Sequence, residues 1–208
     1  GIVLHSGDFK IDLTPVDSRR TDLARIGQLA KEPGIRLLMS DSTNAEEAGY
    51  SPSETTVGSV LTGLFAAHRD RRIVTASFAS HLHRIQQIAD AAMADGRKIA
   101  TLGLSMKKNI RLGRELKVLS IPESAMIDIE EIDKYLPGQV CIISTGSQGE
   151  PMSALGLMAR GENKWLKLGE HDTVVLSSHA IPGNESNVNA VIDGLIRMGA
   201  DVVHSGIM

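Results

Sequence analysis

The sequence predicts an α/β fold: a doubly wound, mainly parallel sheet with helices on both faces. Two observations carry this prediction. Several apolar runs of strand length are near-continuous in hydrophobicity, as strands buried on both faces must be. Amphipathic helical stretches separate them, so strand, helix and strand recur at roughly 30-residue spacing, the length of a βαβ unit. Composition agrees. Hydrophobic residues make up 42% and charged residues 23% of the 208, which suits a globular domain, while aromatics at 3% leave the core to Leu, Ile, Val, Ala and Met.

In order along the chain, "GIVL" at the start reads as a strand already in mid-pattern, as in a piece of a longer polypeptide. The turn-rich "LTPVDSRRTD" follows and sets a soft boundary near Asp22, giving segments 1–22 and 23–208. Strands are expected at "IRLLMSD" (35–41), "RIVTASF" (72–78), "KIATLG" (98–103), "QVCIIS" (139–144) and "TVVLSS" (173–178). Helices are expected near 53–68, 81–94, 106–117, 150–160 and 185–198. For the first of these, Ser51 reads as N-cap, Pro52 as the first helical residue and Glu54 as the capping-box partner. Gly96, after "AAMAD", reads as a helix stop.

The formal charge of −3 argues against a generally basic nucleic-acid binder, but its distribution is uneven. Residues 69–117 hold 11 Lys/Arg against 4 Asp/Glu, a balance of +7, and the rest hold 11 against 21, a balance of −10. This is either a phosphate-attracting face or a solvated helical surface. The single cysteine, Cys141, lies in an apolar run and reads as packing in a reducing compartment. No apolar stretch approaches the roughly 18 residues of a membrane span, and no signal peptide precedes the first strand. A cytoplasmic protein is expected.

In an open α/β sheet, ligands bind beyond the carboxyl ends of the strands. Here those ends are small and polar: "SDSTN" (40–44), "SFASH" (77–81), "GLS" (103–105), "STGSQGE" (144–150) and "SSHAIPGNE" (177–185). Hydroxyls and close backbone N–H groups at helix starts suit a phosphate-bearing ligand, although turns use the same residues. Neither the G-x-x-x-x-G-K-[ST] loop nor the G-x-G-x-x-G fingerprint is present, which points to a polymer or an unusual ligand rather than ATP or NAD.

Asp8, in "HSGDFK", is a metal ligand or a turn former. Asp41, at the end of its strand, could ligate a metal, orient a histidine or cap a turn. His81-Leu82-His83 has the form of a His-x-His metal motif, but residues two apart on a helix point about 200° apart, and Arg84-Ile85-Gln86 follow instead of further ligands. His81 reads better as a substrate contact from a helix N-terminus. The other histidines (His5, His68, His171, His179, His204) show no mutual ligand spacing. "TGSQG" lacks the G-x-S-x-G elbow of a serine nucleophile.

Taken together, "SGDFK", "SDSTNAE", "SFASHLHRIQQIADAA", "STGSQGEPMSAL" and "IPGNE" resemble the ribonuclease J family, metallo-β-lactamase-fold RNases carrying an inserted β-CASP domain. The resemblance runs nearly end to end. It implies that 1–22 closes a metallo-β-lactamase segment and that 23–208 is the β-CASP domain. It also implies 5′→3′ exonuclease and endonuclease activity with two divalent ions, commonly zinc, in the whole enzyme. By the same likeness Asp8 matches the aspartate bridging the metals and Asp41 the acidic residue of the first β-CASP motif, both catalytic. Ser80, His81, Ser105, Met106, Gly146 and Ser147 would contact single-stranded RNA.

Two departures stand out. Leu104 occupies a position where the family commonly has Arg, which removes a guanidinium unless Lys107 or Lys108 substitutes, and Asp17-Ser18-Arg19 stands where the family has Asp-Gly-Arg. The remaining metal ligands would lie outside these residues, so the stretch alone is expected to bind RNA weakly without cutting it. The implied partners are RNA, the rest of the metallo-β-lactamase domain and further copies in a homo-oligomer. Two other readings stay open: a non-catalytic RNA-binding module, and a doubly wound sugar-phosphate enzyme.

Overall fold

The computed structural model describes residues 1–46 and 48–204, which fall into two compact units, Gly1–Val57 and Gly58–Met208. The boundary expected near Asp22 lies inside the first unit, at the N-cap of its helix.

In the first unit, β1 (Ile2–His5) and β2 (Ile35–Met39) pair in parallel, with His5 opposite Met39. Between them runs α1 (Leu23–Lys31), a helix the apolar pattern did not single out. Asp22 caps it by accepting from the Arg25 N–H at 2.8 Å. In the turn Asp17-Ser18-Arg19, Ser18 takes φ of 61°, a conformation that favours glycine.

The helix expected near 53–68 is α2 (Glu54–Ala67), but Ser51 is not its cap. Instead the Asp12 carboxylate accepts from the Glu54 N–H at 3.0 Å and the Ser53 hydroxyl at 2.9 Å. A side chain 42 residues upstream of Glu54 does the capping, which no local motif could announce. The Glu54 N–H, then the Thr14 N–H, hold the Asp12 carboxyl below the usual carboxylate range. Because this pKa is depressed by folding, its contribution to stability is present above the ordinary carboxylate pKa and is lost as pH falls through the lower, folded value. Acidification below about pH 4 is therefore expected to fray the start of α2 in the wild type, and Asp12→Asn to show the same fraying at neutral pH. Amide exchange at Thr55 and Thr56 measures both.

The second unit is built on five parallel strands: β3 (Arg72–Ala76), β4 (Lys98–Leu102), β5 (Val140–Ser144), β6 (Asp172–Leu176) and β7 (Asp201–Val203), in the order β4-β5-β3-β6-β7. They alternate with α3 (Leu82–Ala94), α4 (Leu104–Glu115), α5 (Ala154–Ala159) and α6 (Glu185–Arg197). Every strand predicted here is present, and short β7 is added to them. On one face Val74, Ala100, Ile142 and Val174 join the core with α5 and α6. Their neighbours Ile73, Ile99, Cys141 and Val175 point to the opposite face and are equally buried. Burial pushes the Cys141 thiol up to about 12, so it stays protonated and serves as packing.

Helix ends follow local chemistry. α3 buries Ile85, Ile88, Ala89 and Ala92, one face at helical spacing, and stops at Gly96, whose φ of 73° fits the expected left-handed terminus. α4 begins two residues earlier than expected, directly after Gly103. α5 begins four residues later, because Ser153 caps it by accepting from the Gly156 N–H at 3.1 Å.

Basic residues at the amino ends of the strands are consumed in pairs. Arg72 meets Asp172 at 2.7 Å, and Arg71 meets Asp201 at 3.6 Å. Arg97, with a fully buried side chain, donates to Asp95, His68 O and Arg71 O at 2.8, 2.9 and 2.6 Å and lies over the Phe65 ring. Three of the 11 basic residues in 69–117 are thus engaged at the amino ends of the strands, away from the polar loops. Along β4, the Ile127 N–H bonds the Ile99 carbonyl at 2.9 Å, and Met126 bridges alongside Ile99. Among the described residues no helix is long and apolar enough to cross a membrane.

Candidate nucleic-acid interface

Because all five strands of the second unit are parallel, their carboxyl ends share one edge. The loops after β4, β5, β3 and β6 therefore stand side by side in that order. From β3 the chain leaves toward β4, and from β6 it leaves toward β7, in the opposite direction. The crevice between diverging connections is where open α/β sheets take ligands.

Hydrogen bonds tie these loops together. Gln148, 4% exposed, donates from Nε2 to His179 O and accepts at Oε1 from the Ile181 N–H, both at 2.8 Å. Arg84 of α3 donates to the Ser177 carbonyl and hydroxyl, the latter at 2.8 Å. Asn109 of α4 donates to Ala79 O at 2.8 Å. Two glycines permit the close approach. A Cβ on Gly146 (φ 110°) would lie 2.3 Å from Ser153 Oγ, and one on Gly149 (φ 74°) 2.5 Å from the Asn187 carbonyl carbon.

At the crevice itself, the Ser77 and Ser178 hydroxyls are shielded from solvent and have no hydrogen-bond partner among the described residues. Buried hydroxyls are ordinarily satisfied by protein groups or by ordered water, so each of these keeps bonding capacity at the start of its loop. They lie within loops that the sequence reading picked out, but individually they were missed, as were Arg84 and Gln148. In the sequence these residues look like ordinary turn or helix residues.

The residues expected to touch RNA divide by exposure. Ser80 and Ser105 are exposed, and His81, at the N-cap of α3, is half-buried. Met106 is fully buried, which corrects its assignment as a contact: it packs α4 onto the core. Gly146 and Ser147 are buried in the turn after β5, where they shape the rim instead of presenting an open surface.

In the first unit, Asp8 and Asp41 both follow strands that pair in parallel, and Ser6 links the two ends, its hydroxyl accepting from the Asp41 N–H at 2.9 Å. Asp8 is exposed. Asp41 Oδ1 accepts from the Thr43 hydroxyl at 2.7 Å and the Thr43 N–H at 3.0 Å, and these bonds, hydroxyl first, hold its carboxyl below the usual range. Among the described residues no three His, Cys, Asp or Glu side chains converge as a metal cage. A dinuclear centre needs several such ligands in fixed geometry, so these residues alone do not fit one.

Comparison with known proteins agrees with the geometry. The model of a family described as "Ribonuclease J, beta-CASP domain" matches residues 70–195, more than half of the chain. Ribonuclease J of Mycobacterium tuberculosis is 48% identical over 98% of this chain and 36% of its own length. That of Thermus thermophilus is 43% identical over 98% and 35%, and that of Helicobacter pylori 42% over 98% and 29%. The chain thus spans about a third of these curated relatives. With a parallel doubly wound sheet, a loop-lined carboxyl edge and a family match across most of the second unit, the chain belongs to the ribonuclease J β-CASP domain family.

Proposed function

We propose that this chain is the RNA-holding part of a ribonuclease, with single-stranded RNA lying along the loop edge of the second unit. The observation that carries the reading is the crevice between the diverging connections of β3 and β6 on the shared carboxyl edge of the parallel strands. Exposed Ser80 and Ser105, His81 and the N-terminus of α3 add donors suited to phosphate oxygens. With aromatics scarce, base stacking contributes little and binding is sequence-tolerant.

In the whole protein, the reading extends to hydrolysis of phosphodiester bonds, both from 5′ ends and internally. Asp8 supplies one carboxylate to a site for two divalent ions, zinc in the first instance, whose remaining ligands come from the rest of a metallo-β-lactamase domain. Asp41, kept ionised, stands at its margin. Support for that partner comes from the first unit's exposed apolar side chains: Val3 is 60% exposed and Leu38 58%. Such surface on paired strands calls for a cover. Residues 1–22 are read as the end of that domain and 23–208 as the β-CASP domain. The whole protein is read as a cytoplasmic homo-oligomer.

The test uses the 208-residue chain with a 5′-labelled single-stranded oligonucleotide. Binding that weakens steeply with salt, at least about tenfold weaker in Ser80→Glu or Ser105→Glu through like-charge repulsion, with no cleavage, is expected. Salt-independent or absent binding would remove the RNA reading, and a sugar phosphate displacing the RNA stoichiometrically would favour a small-molecule enzyme. Cleavage by the chain alone would overturn the need for further metal ligands.

A further inference from the structure

We propose that His179, carried at the crown of the arch formed by residues 177–182, stacks on a nucleobase of the bound strand. The proposal rests on the loop-edge reading of the RNA path and adds to it the residue that receives a base.

Both limbs of the arch are fastened from outside. At its start, Arg84 of α3 donates to the Ser177 carbonyl and, at 2.8 Å, to the Ser177 hydroxyl. The Ser177 N–H bonds the Ala76 carbonyl at 2.9 Å. Around the crown, buried Gln148 uses both ends of one amide: Nε2 donates to the His179 carbonyl and Oε1 accepts from the Ile181 N–H. The Asn184 N–H closes the far limb on the Ile181 carbonyl at 2.9 Å. Backbone tied at this many points has lost its conformational freedom before any ligand arrives, so a contact made from it needs little further ordering.

What this arch presents is an imidazole. His179 is exposed, and among the described residues its ring makes no hydrogen bond or ion pair. By contrast, the rings of His5, His68 and His171 meet the Gly7 N–H, the Thr173 hydroxyl and the Glu170 carboxylate. Ala180, Ile181 and Pro182 follow, with no hydroxyl or cation among them, and Ile181 is 42% exposed. The Glu185 carboxylate stands beside the far limb, accepting from the Gly183 N–H at 2.8 Å. A phosphate would meet repulsion there and find no fixed cation. A metal ion would need further ligands, and among the described residues none converge. A planar ring with apolar neighbours suits the face of a base. One stacked base also leaves binding sequence-tolerant, since every base has a π-face.

The experiment measures binding of the 208-residue chain to a 5′-labelled short oligoadenylate, intact or with an abasic site at each position in turn. One position is expected at which loss of the base weakens wild-type binding by about fivefold or more. His179→Ala should weaken binding of the intact strand by a similar factor and no longer register the abasic site at that position. His179→Phe, which keeps a ring without its nitrogens, should restore both the affinity and the abasic effect. Intact-strand affinity unchanged in His179→Ala, or an abasic effect that persists in it, would overturn the proposal. So would His179→Lys restoring affinity with a steeper salt dependence, the mark of a phosphate contact. If Ser80→Glu weakens binding while His179→Ala does not, this proposal falls and the loop-edge reading stands; a strand that does not bind the wild-type chain removes both.

Discussion

Replacing Arg97 with Leu is expected to cost the second unit about 3–5 kcal/mol, the range for removing one partner of a buried ion pair. The guanidinium is enclosed, and it satisfies the carbonyls of His68 and Arg71 as well as the Asp95 carboxylate. The substitution would leave two carbonyls and a largely buried carboxylate facing an apolar side chain that cannot donate. It would also remove the cation from the Phe65 ring. For a unit of this size each kcal/mol shifts the melting temperature by about 2–4 °C, so a fall of about 6–20 °C is expected. Arg97→Lys keeps the charge but loses the planar fork that reaches three acceptors, and it should fall between wild type and Leu. Urea unfolding measures all three, and a loss below about 1 kcal/mol for Arg97→Leu would show that the network is not holding the sheet edge.

Gly149→Ala is the second large effect, and it acts on the loop edge. The residue's φ of 74° already disfavours a side chain, and the added Cβ would sit 2.5 Å from the Asn187 carbonyl carbon and 2.7 Å from the Val188 nitrogen. Both are backbone atoms in the first turn of α6, so relief requires the turn after β5 to move away from that helix. The strain alone is about 1–3 kcal/mol. Moving the turn also pulls Gln148 from His179 O and the Ile181 N–H, loosening the loop after β6. RNA binding by the 208-residue chain is expected to weaken by about tenfold or more, in keeping with the sensitivity of positioned contacts, while near-native circular dichroism persists. Gly63→Ala in α2, where an added Cβ meets nothing within 4 Å, is the control, expected to be neutral or stabilising by up to about 1 kcal/mol. Equal RNA affinity in Gly149→Ala and wild type would separate this turn from the ligand edge.

Four of the five predicted strands were legible because strands buried on both faces have few ways to be written, whereas β2 has the same apolar run and is largely exposed. So was the end of α3, since Gly96 is a local signal. α1 was missed because none of its residues is buried, and β7 because its three residues form no run. Strand order could not be read at all, and strand order is what brings the loops after β3 and β6 together. The cap of α2 failed for a related reason: Ser51 had the right neighbours, but Asp12 reached the helix through space. Met106 was expected as the first residue of its helix, but α4 begins two residues sooner, at Leu104, and the side chain is buried. Asp8 and Asp41 were found at one end of a strand pair, yet how many ligands surround them depends on residues that no reading of these positions supplies.

The strand of chain around Met126 has a consequence for self-association. An open sheet normally leaves its outermost backbone groups free to recruit a foreign strand, the usual seed of aggregation. Here the polypeptide folds back over the β4 margin and satisfies the Ile99 carbonyl itself, while the opposite margin, β7, is only three residues long. Among the described residues neither side offers a long free backbone, and lengthening β7 or deleting the Met126 fold-back is the route by which the second unit would become sticky.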